Sequence, residues 1–316
     1  MSENIAQLVN VDFKTYDEVM QQSFHAFNTA AFAQLNQHKC DQVYALLYKD
    51  SKYRLGLLAG VKNEWLLSPF SAPFGGFSFI KSSVHLSAIE SAVELLDLFA
   101  KEKNLKGIRM ILPPLIYNRV FLTKLINVLY RFDYLILNLD LDFYIELQHE
   151  LSYEERLWKN ARNNLKEALA QEYDVLLCKS VEEKQKVFEI ICNNRQLKGR
   201  LIHMSFEEVL QTAAILPVDF FLVSKKGEPV ASAIVYRVTP DIPYVTFWGD
   251  VHSHLPGRPM NFLAYYMVKF YQNQGIHYLH FGISSEESKP NYGLSEFKES
   301  IGCTITPKLS FEKKLV

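Results

Sequence analysis

Apolar positions along this chain alternate between a two-residue and a 3.6-residue rhythm, and the rhythms succeed one another in the same order in both halves. Residues 43–48 and 53–61 are apolar runs parted by Lys49-Asp50-Ser51-Lys52, which predicts a β-hairpin, with a third strand at 65–68. Ile89, Ala92, Val93, Leu96, Phe99 and Ala100 then share one helical stripe that stops before Gly107, and Ser87 with Glu90 is spaced to open that helix as a capping box. A strand at 108–112, a helix at 120–132 and closing strands at 134–139 and 143–147 complete the first pass. In the second pass a hairpin at 220–224 and 230–238 turns at Lys225-Lys226-Gly227-Glu228. A strand at 244–251 (YVTFWGDV), a helix at 261–274 with Leu263, Tyr266, Met267 and Phe270 at helical spacing, and a strand at 278–283 follow. A short helix at 294–301 and a strand at 304–311 end it. Between the passes, Ser152 with Glu155, Ser180 with Glu183 and Ser205 with Glu208 predict three more capped helices. The chain therefore reads as two units, 1–150 and 151–316, with the boundary near Leu151 and no low-complexity linker.

With 316 residues, 48% of them hydrophobic, there is material for two buried cores. Thirty-four basic residues against thirty-five acidic ones leave no global field to attract DNA or an anionic membrane. The first residues, MSENIAQLVNVDF, lack a basic segment followed by an apolar core, and no apolar run reaches the roughly 20 residues a spanning helix needs. A soluble, cytoplasmic protein without membrane insertion is expected. Cys40, Cys178, Cys192 and Cys303 show no C-x-x-C spacing, so they read as reduced thiols. His252 and His254 lie two apart and His277 and His280 lie on or beside a strand, with no third ligand of suitable spacing, so no metal site is expected.

The loop at 252–260 (HSHLPGRPM) brings Gly257 and Arg258 to a helix start, where free N–H groups and a positive partial charge suit phosphate oxygens. Downstream, Leu294-Ser-Glu-Phe297-Lys298-Glu-Ser-Ile-Gly302 is similar to the G-L-x-x-F-K-x-x-F-G segment of the Fem peptidoglycan aminoacyltransferases. His280-Phe281-Gly282-Ile283 stands where that group has a glycine-bearing strand end. Leu157-Trp-Lys159-Asn-Ala-Arg162-Asn163-Asn-Leu-Lys166 resembles its K-x-R-x-x-I-x-K-A helix, with Asn163 replacing a common arginine. Together with the repeated element order, these segments make the chain resemble the tandem-domain branch of the GNAT superfamily of acyltransferases. The resemblance implies an α+β (mixed α/β) fold of two tandem GNAT-like domains, each a central mixed, largely antiparallel sheet flanked by helices. It also implies an N-acyltransferase that moves an acyl group from acyl-CoA, acetyl-CoA in the simplest case, to a primary amine on a small-molecule or peptidyl acceptor. Two features depart from the GNAT pattern. Instead of R/Q-x-x-G-x-G/A the chain has His254-Leu255-Pro256-Gly257-Arg258-Pro259-Met260, and Pro259 has no N–H to offer. The helix at 294–301 carries Phe297 and Lys298 where many relatives place a tyrosine.

Transfer to an amine needs a base, donors for the carbonyl oxygen and an acid for the leaving group. Asp250, at a strand end, is the candidate base, and an acid there is also an ordinary turn residue. His280 is the alternative base and Tyr292 the candidate acid. Trp248 and Gly249 mark the strand whose N–H groups would hold the oxygen, and Gly257, Arg258, Met260 and Asn261 would bind the donor. Lys159, Arg162 and Lys166 share a helix face that suits a phosphate or acidic acceptor, or is simply solvated. Ser68-Pro-Phe-Ser-Ala-Pro-Phe-Gly75-Gly76-Phe77 brings Phe74, Gly75 and Gly76 either to an acceptor groove or into a rigid turn that covers the core. Two rival readings stand beside acyl-CoA chemistry. One is the use of aminoacyl-tRNA and a cell-wall precursor, as the Fem resemblance implies and the neutral charge disfavours. The other is a binding protein that has lost the chemistry.

Overall fold

The computed structural model describes residues 6–21, 24–200, 202–251 and 256–315. The chain divides into two compact units: residues through Asp140 together with those from Pro307 onward, and Leu141–Thr306.

The first unit runs β1 (Gln7–Val11), α1 (Phe13–Met20), α2 (Ala30–Asn36), β2 (Gln42–Lys49), β3 (Tyr53–Lys62), β4 (Trp65–Ser68), β5 (Ser78–Phe79), α3 (Leu86–Glu102), β6 (Gly107–Ile111), α4 (Arg119–Arg131) and the start of β7 (Leu135–Glu146). Its sheet has the order β1-β2-β3-β4-β6 and is antiparallel except for the parallel pair β4–β6. Residues 310–314, from the chain's last strand, pair antiparallel with β6. The predicted stripe of α3 packs inward, with Ile89, Ala92, Val93, Leu96 and Ala100 buried. The capping box expected at Ser87 and Glu90 is absent: the helix opens two residues earlier, His85 is its N-cap without a side-chain bond, and Glu90 pairs with Arg131.

Beyond the parallel pair, the loop at 69–77 is tied to the ends of both strands. Gly75 N–H donates to the Ile111 carbonyl at 2.7 Å, and Gly76 N–H donates to Ser68 Oγ at 3.0 Å. Phe74 is fully buried and meets His25 and Tyr117 ring to ring at 5.0 and 4.8 Å. Burial pushes the His25 pKa down to about 3, so the imidazole in this aromatic cluster is neutral. A Cβ on Gly75 would lie 2.8 Å from the Pro69 nitrogen, and Gly76 has φ +85°. Phe74 thus fills core space while Gly75 and Gly76 tie the loop to both strand ends, which is the geometry of the rigid turn that the sequence offers beside an acceptor groove.

The second unit takes the remainder of β7, then α5 (Tyr153–Arg156), α6 (Lys159–Leu169), β8 (Tyr173–Leu177), α7 (Val181–Leu197), α8 (Phe206–Ile215), β9 (Val218–Lys225), β10 (Glu228–Thr239), β11 (Ile242–Asp250), α9 (Pro259–Gln272), β12 (Tyr278–Ile283), β13 (Ser285–Glu286), β14 (Lys289–Pro290), α10 (Tyr292–Ser300) and the start of β15 (Thr304–Lys314). Its sheet has the order β8-β9-β10-β11-β12, with residues 142–146 of β7 pairing antiparallel with β12. Among the described residues of this sheet only β11–β12 is parallel. The three capping boxes at Ser152, Ser180 and Ser205 are formed as predicted. Leu263 and Met267 of α9 are fully buried with Phe143, Ile145 and Leu279, a burial worth about 1.5–3 kcal/mol per side chain. Among the described residues no helix is long and apolar enough to cross a membrane.

The unit boundary falls ten residues before Leu151, inside one continuous strand that the sequence had broken into 134–139 and 143–147. The residues from Pro307 onward group with the first unit, not the second. Hydrophobic rhythm marks a strand and not its partner, so neither the break nor the regrouping is visible in the letters.

Candidate functional site

In the second unit β11 and β12 form a fork. They share one residue pair, Tyr244 with His280, and then part. Each strand is bent by a bulge: the β10–β11 register shifts between Ile234 and Val235, and the β12–β7 register shifts between His280 and Gly282. Gly282 has φ +70°, and a Cβ there would lie 2.9 Å from the Tyr244 ring, so the second bulge requires glycine. From Thr246 to Asp250 the side of β11 turned away from β10 has no strand partner among the described residues, so alternate N–H groups open onto the gap.

At the apex the Tyr244 ring stacks on His280 at 4.4 Å, and His280 Nε2 lies 2.5 Å from Asp142 Oδ1. Both residues of the His280–Asp142 pair are 1% exposed. Burial, reinforced by Asp142, raises the Tyr244 phenol well above its ordinary pKa. The expectation of His280 as a base facing substrate is therefore corrected: its ring is enclosed behind Tyr244 and braces the fork from within.

A cavity of about 540 Å³ opens beside the fork, lined in part by Trp248, Gly249, Asp250, Met260 and Asn261. Asp250 is buried at the end of β11, where Asn194 Nδ2 donates to its Oδ1 at 2.6 Å and to its carbonyl at 2.8 Å. A Cβ on Gly249 would lie 2.9 Å from Asn194 Cγ, so glycine here is what lets Asn194 reach across. A second cavity of about 910 Å³ shares Arg195, Arg200, Trp248, Asn291 and Leu294 with the first. Tyr244, Phe281, Ser284 and Lys298 are among its own walls.

The loop expected to grip phosphate is already engaged. Gly257, at φ +91°, donates its N–H to Glu167 Oε1 at 3.2 Å, and Arg258 Nε lies 3.4 Å from Glu167 Oε2. Tyr173 Oη donates to the Gly257 carbonyl at 3.0 Å. Pro259 follows as the first residue of α9. His252 and His254 lie outside the described residues. Among the described residues no three His, Cys, Asp or Glu side chains are gathered to hold a metal ion.

The basic helix face is also placed differently. The helix opened by Ser152 ends at Arg156, and a new one starts at Lys159. Arg162 donates to the carbonyls of Glu154, Glu155 and Leu157 at 3.1–3.2 Å, which caps the end of the short helix. Lys159 and Lys166 are exposed, and the residue of α6 that lines the cavity is Asn164. Tyr292, the expected acid, is 73% exposed at the start of α10, while its neighbours Asn291, Gly293 and Leu294 line the cavity.

Sequence reasoning overlooked the end of α7 and the buried end of Lys298. Asn194, Arg195, Lys198 and Arg200 all line the 540 Å³ cavity. A helix that ends in the string Asn194-Arg195-Gln-Leu-Lys198-Gly199-Arg200 offered a signal, a basic cluster closed by glycine. Lys298, 1% exposed, spends its ammonium on the carbonyls of Phe281, Gly282 and Ile283 at 2.8–3.0 Å, the backbone of β12 where it leaves the fork. Burial lowers its pKa to about 8.

No family model matches this chain, and no curated protein matches it. Solved structures do. A structure described as FemX has a TM-score of 0.70 at 12% identity, covering 98% of this chain and 97% of that one. L-PGS from Bacillus licheniformis has a TM-score of 0.59 at 13% identity, with 96% and 93% covered. A tandem GNAT protein from the clavulanic acid biosynthesis pathway has a TM-score of 0.55 at 6% identity, with 99% of each chain covered. The fold of this chain is the tandem GNAT fold of these structures.

Proposed function

We propose that the second unit transfers an acyl group from a phosphate-bearing ester or thioester donor to a primary amine, with the carbonyl held in the fork between β11 and β12. The observation that carries this reading is the parting of these strands beyond Tyr244 and His280, with Asp250 at the open end above a cavity. Alternate N–H groups of β11 hold the carbonyl oxygen as it gains charge. Asp250, oriented by Asn194, takes a proton from the ammonium, and the free amine attacks the carbonyl carbon. The carbon–nitrogen bond forms, the bond to the donor oxygen or sulfur breaks, the proton on Asp250 passes to that leaving atom, and the second proton lost by the attacking nitrogen leaves through the freed Asp250 carboxylate to solvent. Lys298 fixes the three carbonyls that set the path of β12 and so keeps the fork open.

One observation favours an aminoacyl ester of tRNA over acyl-CoA. The Gly257 N–H and the Arg258 guanidinium, the groups expected to grip a pyrophosphate, face the Glu167 carboxylate instead. The fold shared with FemX is consistent with that donor.

The test offers the protein acetyl-CoA and, separately, aminoacyl-tRNA, with a panel of amines, and follows transfer in single turnovers. Asp250→Ala is expected to lower the rate about 100-fold. No association with either donor at millimolar acetyl-CoA or micromolar tRNA, or an unchanged rate in the variant, would remove the proposal.

A further inference from the structure

Arg195 lies in the last turn of α7, and Lys198 and Arg200 follow it directly. All three line the 540 Å³ cavity, and Arg195 and Arg200 also line its neighbour. Among the described residues none of the three side chains makes a hydrogen bond or ion pair. Their proximity is unfavourable in the free protein: burial and then Arg200 lower the Arg195 pKa, and burial lowers that of Lys198, with Asp250 opposing and Arg195 and Arg200 adding to the fall. Three cations therefore line a cavity whose lining carboxylate, Asp250, accepts a hydrogen bond from Asn194. The fourth cation of the lining, Arg258, faces Glu167. Like charges gathered without partners cost stability that a bound anion returns.

We infer that the end of α7, and not the start of α9, is the phosphate site: Arg195, Lys198 and Arg200 clamp a ligand carrying two or more closely spaced phosphate charges. This rests on the reading of the second unit as the donor-binding half. Two guanidinium forks suit paired phosphate oxygens, and the lysine adds a mobile point charge. Because Arg195 and Arg200 border both cavities, a phosphate held there anchors the donor where the chambers meet, beside Trp248. The shared chemistry is met by the pyrophosphate of coenzyme A or by the terminal phosphodiesters of an RNA 3′ end.

The experiment measures binding of coenzyme A by calorimetry and of a labelled RNA hairpin with a single-stranded 3′ end by anisotropy, at two salt concentrations. The proteins are wild type, the triple variant Arg195→Gln/Lys198→Gln/Arg200→Gln, the single variant Lys198→Glu, and Arg258→Gln. The triple variant is expected to weaken whichever probe binds by about 30-fold or more, and for RNA to lower the salt slope by about 2. Lys198→Glu moves affinity the same way, and Arg258→Gln changes it less than about threefold. Melting temperatures of the variants report that they fold, and Lys198→Glu, a single substitution at the end of α7, carries the test where the triple variant does not. If RNA alone responds, the clamp stands and the donor is RNA. If coenzyme A alone responds, the clamp stands and the tRNA reading falls. A probe that binds wild type and the α7 variants equally, or that is lost on Arg258→Gln, overturns the clamp and leaves the transfer reading intact. Failure of both probes to bind wild type overturns both.

Discussion

In the first unit β4 and β6 stay in register over four residue pairs, and the next loop bonds to the ends of both strands through Gly75 and Gly76. In the second unit the equivalent strands, β11 and β12, meet at one pair and diverge around two cavities. The sheets share one strand order, so the frame does not decide which fork becomes a site. The residues that follow the first parallel strand decide it. After β4 come Phe74 and Phe77, which bury their rings, and two glycines whose N–H groups find acceptors, so the gap closes with its polar groups satisfied. At the end of β11 come Trp248, Gly249 and a carboxylate, and a bulge on each strand holds the space apart.

The contrast breaks most easily at its closed end. Phe74→Ala is expected to cost about 3–5 kcal/mol of stability in urea unfolding, the price of an aromatic lost from a filled core. Donor affinity of the protein that remains folded should stay within about twofold, since Phe74 belongs to the first unit and lines neither cavity. A cost below about 1 kcal/mol would mean that the first fork is not packed shut.

Lys298 sharpens the comparison through pH. Its folded pKa, about 8, lies below the ordinary lysine value, so between about pH 8 and pH 10.5 the unfolded chain binds the extra proton and the native one does not. The contribution of this group to stability therefore rises with pH across that window and is flat below it. The difference in unfolding free energy between wild type and Lys298→Met should grow in favour of wild type from pH 8 to 10.5. A flat difference would show that the ammonium in the fork wall is not under strain from burial.

The smallest effect is expected at the helix start. Glu167→Gln removes a half-exposed ion pair and should change stability by no more than about 0.5 kcal/mol. Donor affinity should shift less than about threefold if the phosphates sit at α7. A tenfold gain would instead mean that Glu167 competes for the phosphate position, and the glycine loop would recover the role its sequence implies.

Much of the frame was legible because it is local. The hairpins, the α3 and α9 stripes and three of the four capping boxes each need only a few neighbouring letters. The fourth, at Ser87, has the right spacing, yet Glu90 is engaged by Arg131, a partner 41 residues away. The site was legible only in part. Asp250, Trp248 and Met260 follow from position on the fork strand and helix, whereas Asn194 and Arg195 reach the cavity through packing of α7 on the sheet. Gly257 and Arg258 looked like an anion grip, and the carboxylate that answers them sits some ninety residues earlier, at Glu167. His280 was found and its surroundings were not, because Asp142 lies 138 residues from it in the chain.

Residues 310–314 hydrogen-bond with β6, and the Arg109–Glu312 contact beside them spans 203 positions. A ribosome supplies that partner about 200 residues after β6, while residues 142–146 are available before the sheet they join has been synthesised. The half made first is thus the last to be closed, and until then β6 presents an open backbone edge to any other strand in reach. Shortening or tagging the polypeptide after Pro307 should accordingly harm solubility through the unit farthest from it in the gene.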